Sequence, residues 1–184
     1  MKPSAADLKR RLKKIRLLAM DVDGVLTDGK IILLESGEEV KAWNVKDRIG
    51  FFMVKAAPGP FRLAWITGRK SKQVEDRAAE IGAVLHQGSQ DKGRDLEETT
   101  VQFGLKLEET LFIGDDLVDL PAFARAGLAV CPADAHEEAR KACHWTTRAR
   151  GGEGVFREVA DAVLKAQDQW EAVLNRYLRP DAGA

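Results

Sequence analysis

Apolar residues in this chain gather in short unbroken blocks, separated by segments with helical spacing, and charged or small polar residues follow directly after the blocks. Residues 15–20, 62–66, 83–86, 110–113 and 128–131 read as strands with no polar alternation, as in sheets covered on both faces. Between them, residues 71–81 put Val74, Ala78 and Ile81 on one stripe and stop at Gly82. Asp91 is expected to cap a helix over 92–103 that closes at Gly104, and Asp47 to cap one running to 54–57, broken by Pro58-Gly59-Pro60. A short helix is expected near 119–126. Residues 30–34 and 39–43 flank Glu35-Ser36-Gly37-Glu38 and read as a β-hairpin. Ser4 and Asp7 open a short helix with Leu8, Leu12 and Ile15 on one side. From Val155 a long helix carries Phe156, Val159, Val163, Trp170, Val173 or Leu174, and Tyr177 at helical spacing, ahead of a tail at 179–184 expected to be mobile. Strands alternating with helices predict an α/β fold: one parallel sheet, helices on both faces, right-handed crossovers, and the hairpin standing beside it as a flap.

Length and composition narrow the functions. The 184 residues predict a single domain over 1–184, with its core at about 15–165. Lys plus Arg and Asp plus Glu balance at 29 each, which speaks against a nucleic-acid or membrane-surface partner and for a small one. Cys131 and Cys143 lack metal-ligand spacing and read as reduced thiols of a cytoplasmic protein. The amino-terminal segment is basic, but its apolar run is too short for a signal peptide, and nothing spans a membrane.

The candidate chemistry lies where strands end. The first strand stops on Asp21-Val22-Asp23-Gly24, and two carboxylates spaced two apart on extended backbone leave the same face, where they repel unless they share a cation or a proton. Thr67 and Gly68 follow the second long strand, Lys92 opens a helix, and Asp115-Asp116 follow a later strand. That is the set phosphoryl transfer needs. A phosphate monoester is a dianion, and an attacking carboxylate is repelled until a hard cation and a fixed ammonium neutralise its oxygens. Asp21 is expected to attack, and Asp23 to protonate the leaving alkoxide and then deprotonate water. Thr67 and nearby backbone N–H groups are expected to hold phosphate oxygens, and Lys92 to add a point charge. Asp21, Asp23 and Asp115 would bind Mg²⁺, with Asp116 and Asp119 ordering its waters. His86, His136 and His144 read as structural.

Those residues, DVDGVLTDG, ITGR, DK and GDDLVDLP in that order, resemble the haloacid dehalogenase superfamily. Further segments, among them Lys41 to Asp47, Gln87-Gly88, Ala133 to His136 and Gly151-Gly152, are similar to a cap-less group of that superfamily acting on sugar-acid phosphates. The resemblance implies a Rossmann-like magnesium phosphatase without a cap domain, assembled as a homotetramer in which a neighbour closes each site. It implies 3-deoxy-D-manno-octulosonate 8-phosphate as substrate, in lipopolysaccharide synthesis, with a sialic-type nonulosonate 9-phosphate second. Carried over by position, substrate contacts would be Asp23, Asn44, Val45, Lys46, Asp47, Arg48, Gly68, Arg69, Arg77 and Lys92. A phospho-acceptor signalling domain also uses an aspartyl phosphate, but its nucleophile follows a middle strand and has no acid two residues on. A non-catalytic assembly module would have no use for four converging charges.

Overall fold

The computed structural model describes residues 2–178. The chain runs α1 (Ala5–Leu12), β1 (Leu17–Met20), β2 (Ile32–Leu33), β3 (Glu39–Val40), α2 (Val45–Ala56), β4 (Arg62–Thr67), α3 (Lys72–Ile81), β5 (Val84–Gln87) and α4 (Lys92–Gln102). It continues through β6 (Thr110–Ile113), α5 (Leu120–Arg125), β7 (Leu128–Cys131), α6 (Glu137–Ala142), β8 (Trp145–Thr146), α7 (Val155–Ala166) and α8 (Trp170–Leu178). Six strands form one sheet in the order β5-β4-β1-β6-β7-β8, every pair parallel. Among the described residues, only β2 and β3 stand apart, as the short antiparallel flap.

Strand residues alternate between two cores, which is why the strands lack polar positions. Leu18, Met20, Leu63, Trp65, Leu111 and Ile113 face one layer with Phe51, Phe156, Val159 and Val163. Leu17, Ala19, Ala64, Ile66 and Phe112 face the other with Leu96, Phe123 and Ala139. The first layer is closed by α2 against α7, where Phe51 and Phe156 stack with ring centroids 4.0 Å apart. Gly50 permits that approach, since a methyl group there would press on Phe156 and on the backbone of Arg157.

The chain leaves β1 toward β4 and β5, then returns to β6 on its other side. The loops after β1 and β6 therefore diverge and open a crevice at the carboxyl edge, where open α/β sheets bind ligands. The intervals between β1 and β4 and between α4 and β6 hold the flap, α2 and a 3-10 turn, so no cap domain is inserted in either.

The cap of α2 is Asn44, not Asp47: the Asn44 side chain accepts the Lys46 N–H at 2.9 Å and its amide donates to Gly152 O at 2.7 Å, starting the helix before Asp47. The last helix is two, α7 and α8, because Asp168 takes the left-handed conformation at φ 58° between them. α6 and β8 were not foreseen. The tail at 179–184 lies outside the described residues.

Candidate active site

Asp21 directly follows β1, where its N–H still donates to Ile113 O of the neighbouring strand. One carboxylate oxygen accepts the Val22 N–H at 2.6 Å and the other accepts Lys92 Nζ at 2.5 Å. Lys92 opens α4, whose cap Asp91 accepts the Gly93 and Arg94 N–H groups. The same ammonium donates to Asp119 Oδ1 at 2.7 Å, and Asp119 Oδ2 accepts the N–H groups of Asp115 and Asp116 at 2.8 and 3.1 Å. Asp119 thus fixes both the lysine and the loop after β6. It is completely buried.

The electrostatics are those of crowded acids. Burial pushes the Asp21 carboxyl up to about 7, with Asp119 adding to the rise and Lys92 opposing it. Burial and then the Asp119 and Asp21 charges push Asp115 up to about 8. Burial alone would lower Lys92, but Asp21 and Asp119 outweigh it and hold it above the usual lysine value, so it is a permanent cation. Oxygens of Asp21, Asp115 and Asp119 lie within 4.8 Å of one another. Three hard anionic donors at that spacing, two of them driven toward protonation, fit a divalent cation such as magnesium.

Thr67 closes β4, almost fully buried, and its hydroxyl accepts the Arg69 N–H at 3.3 Å. Gly68 and Arg69 are exposed beyond it, and Asp116 is exposed beside Asp115. Asp23 departs from expectation. The backbone after Asp21 does not stay extended but turns, with Leu26 N–H donating to Val22 O, and Asp23 lies outside the acidic group of Asp21, Asp115 and Asp119. Its Oδ1 accepts Lys41 Nζ at 2.5 Å and its Oδ2 lies 3.8 Å from Arg69 Nε. The structure groups Asp119 with Asp21 and Asp115 where the spacing placed Asp23.

The expected substrate contacts divide. Asn44, Val45 and Lys46 sit at the start of α2 beside the loop holding Gly151, Gly152 and Gly154, with Val45 and Lys46 exposed. Asp47 is buried beneath α7 and accepts the Arg157 N–H at 2.8 Å, so it faces the core rather than a ligand. Arg48 meets Glu80 at 2.9 Å and lies over the Phe52 ring, and Arg77 pairs with the same glutamate. Arg69 instead pairs with Glu39 at 2.5 Å. Arg69 and Arg77 therefore belong to separate ion-pair groups. Sequence reasoning missed Lys41 and Glu39 as site residues. The signal available was a lysine set between Val40 and Ala42-Trp43, in an apolar stretch leading into α2.

A buried carboxylate at a strand end, held by a lysine and grouped with two more acids at a topological switch point, is an arrangement suited to phosphoryl transfer. Residues 66–159 match the family model for haloacid dehalogenase-like hydrolase. The 3-deoxy-D-manno-octulosonate 8-phosphate phosphatase KdsC of Yersinia pestis is 43% identical over 170 residues, covering 92% of this chain and 90% of that protein. The chain belongs to the haloacid dehalogenase-like hydrolases, in the group that includes this phosphatase. The Moraxella catarrhalis phosphatase of that name, solved in complex with magnesium ion, phosphate ion and KDO, superimposes with TM-score 0.90 at 38% identity, covering 95% of this chain and 99% of that one. The cobalt-bound Haemophilus influenzae enzyme gives TM-score 0.84 at 36% identity, covering 88% and 94%.

Proposed function

We propose that this chain is a magnesium-dependent phosphatase that hydrolyses 3-deoxy-D-manno-octulosonate 8-phosphate to the free sugar acid and phosphate, a step of lipopolysaccharide synthesis. The observation that carries this reading is the buried contact of Asp21 and Asp119 with Lys92, next to Asp115 in the crevice. The relatives' substrate is the second support.

Asp21 attacks phosphorus: its oxygen forms the new P–O bond while the bond to the sugar oxygen breaks, and Asp23 gives that oxygen a proton. Water then attacks the aspartyl phosphate, its proton goes to Asp23, and the bond from phosphorus to Asp21 breaks, releasing phosphate. Lys92 stands beside Asp21 and counters the charge on the phosphoryl oxygens, while the Thr67 hydroxyl and the Gly68 N–H hold them. Asp21 and Asp115 would hold magnesium, with Asp119 behind them. Bound there, the cation supplies positive charge against the phosphoryl oxygens and favours Asp21 as carboxylate. Arg69, exposed at the rim, suits the carboxylate of a sugar acid, since a guanidinium meets it bidentately.

The reading extends to assembly. Ile31, Ile32, Leu33 and Leu34 on the flap are 52, 46, 66 and 47% exposed, an apolar stripe suited to cover from a second copy, in line with a homotetramer whose neighbours close the open site. Two free buried thiols, Cys131 and Cys143, suit the cytoplasm.

The test is a phosphatase screen over sugar phosphates with magnesium, including the octulosonate 8-phosphate and a nonulosonate 9-phosphate, repeated with Asp21→Asn. The octulosonate ester is expected to give the highest kcat/KM, and Asp21→Asn to lose turnover by several orders of magnitude while staying folded. Preference for another ester would reassign the substrate, and normal turnover in Asp21→Asn would remove the nucleophile.

A further inference from the structure

Lys41 stands at the root of the flap with its side chain only 2% exposed, although nothing in the reaction above uses it. A lysine buried to that extent persists when its charge is matched by acids. Here Nζ donates to Asp23 Oδ1 at 2.5 Å and lies 2.7 Å from Glu39 Oε1 on β3. Glu39 Oε2 takes Arg69 at 2.5 Å, and Arg69 Nε lies 3.8 Å from Asp23 Oδ2. Two acids and two cations thus close a ring that ties the loop after β1, the flap and the loop after β4. Burial pushes Lys41 down, but the bonds to Asp23 and Glu39 outweigh it and keep it an ammonium.

The two oxygens of Asp23 are not equivalent. An ammonium has donors only, so the oxygen it occupies is a poor place for a proton. Oδ2, by contrast, is a buried atom that accepts no hydrogen bond. A general acid must carry its proton on the oxygen turned to the leaving group, within hydrogen-bond reach. We propose that Lys41 is a positioning residue for the proton-transfer step: by holding Oδ1 of Asp23 it leaves Oδ2 to deliver the proton to the sugar alkoxide and to receive one from water. The inference rests on Asp23 acting as the acid and base of the proposed reaction. It also ties the flap to the chemistry, because Glu39 anchors the same ammonium.

Two esters separate this role from mere support of the flap. A sugar alkoxide needs a proton to leave, whereas p-nitrophenolate does not, and kcat/KM covers the steps only as far as leaving-group departure. In Lys41→Met, kcat/KM for the sugar phosphate is expected to fall by about 10²–10⁴, the range of general acid catalysis, while that for p-nitrophenyl phosphate stays within about threefold. The kcat for the aryl ester falls as well, since hydrolysis of the aspartyl phosphate still needs Asp23 as base. Lys41→Arg is expected to recover most of the sugar-phosphate activity. Equal losses of kcat/KM on both esters, or no loss on either, would overturn the assignment. Should Lys41→Met fail to show a cooperative thermal transition, Lys41→Gln carries the same expectations and the same contradiction. Wild type and Asp21→Asn are run beside them: a wild type that hydrolyses no sugar phosphate defeats the phosphatase reading itself, normal turnover in Asp21→Asn removes the nucleophile, and an active wild type with a dead Asp21→Asn and uniform Lys41 losses defeats the positioning role alone.

Discussion

Gly24 shows how closely the site is drawn at the level of single residues. It sits at φ 85°, where an L side chain is strained by about 1–2 kcal/mol, and a methyl group on it would overlap the Asp115 carboxylate. Gly24→Ala is therefore expected to displace Asp115 and weaken magnesium binding at least about tenfold, a change of about 1.4 kcal/mol, in a protein that still folds. Calorimetric titration with magnesium checks this, and an unchanged affinity would contradict the placement of Asp115. Asp21, Thr67, Lys92 and Asp115 were legible in the sequence because each directly follows an apolar strand or opens a capped helix, and backbone direction alone sends them to one edge. Asp23 was half legible: its neighbourhood was right, but the turn at 22–27 rotates its side chain toward Lys41. Lys41 was legible only as a lysine in an apolar stretch, because the acids that match its charge, Asp23 and Glu39, come from the loop after β1 and from the flap.

Among the elements, the contact of α2 with α7 carries a titration. Asp47, in the first turn of α2, is pushed up to about 6 by burial, against the pull of the Arg157 and Phe156 backbone N–H groups. A folded-state value above the unfolded one means that the folded chain binds the proton more tightly. Its contribution is therefore fully present below the unfolded value, near 4, and is lost as pH rises through about 6. Asp47→Asn keeps an acceptor for the Arg157 N–H and removes the charge. Relative to wild type, the variant is expected to gain on the order of 2 kcal/mol between pH 4 and pH 7, read by urea unfolding without magnesium. A difference that stays flat over that range would show that Asp47 does not titrate in the folded state. The strands and most helices were legible because apolar runs and capping residues are local. The break between α7 and α8 was hidden because Trp170 and Val173 stay in phase with α7. The short α6 and β8 are held by tertiary contacts, such as His144 N–H to Ala129 O at 2.9 Å, rather than by any periodicity of their own.

For the molecule as a whole, the strand order sets the function's place. With β1 central and β6 beside it, the two acidic loops face each other across one crevice, and α4 brings its first residue, Lys92, to the same point. The exposed flap stands next to that crevice, linked to it through Lys41. The proposed reaction turns on capture of the phosphoryl group by Asp21. The most direct measurement is acid quench of the enzyme during turnover of a radiolabelled phosphate ester with magnesium, followed by peptide mapping. The label is expected on the peptide holding Asp21, absent in Asp21→Asn, and released when turnover is allowed to run on. Label on another residue, or hydrolysis at the wild-type rate by Asp21→Asn, would contradict it.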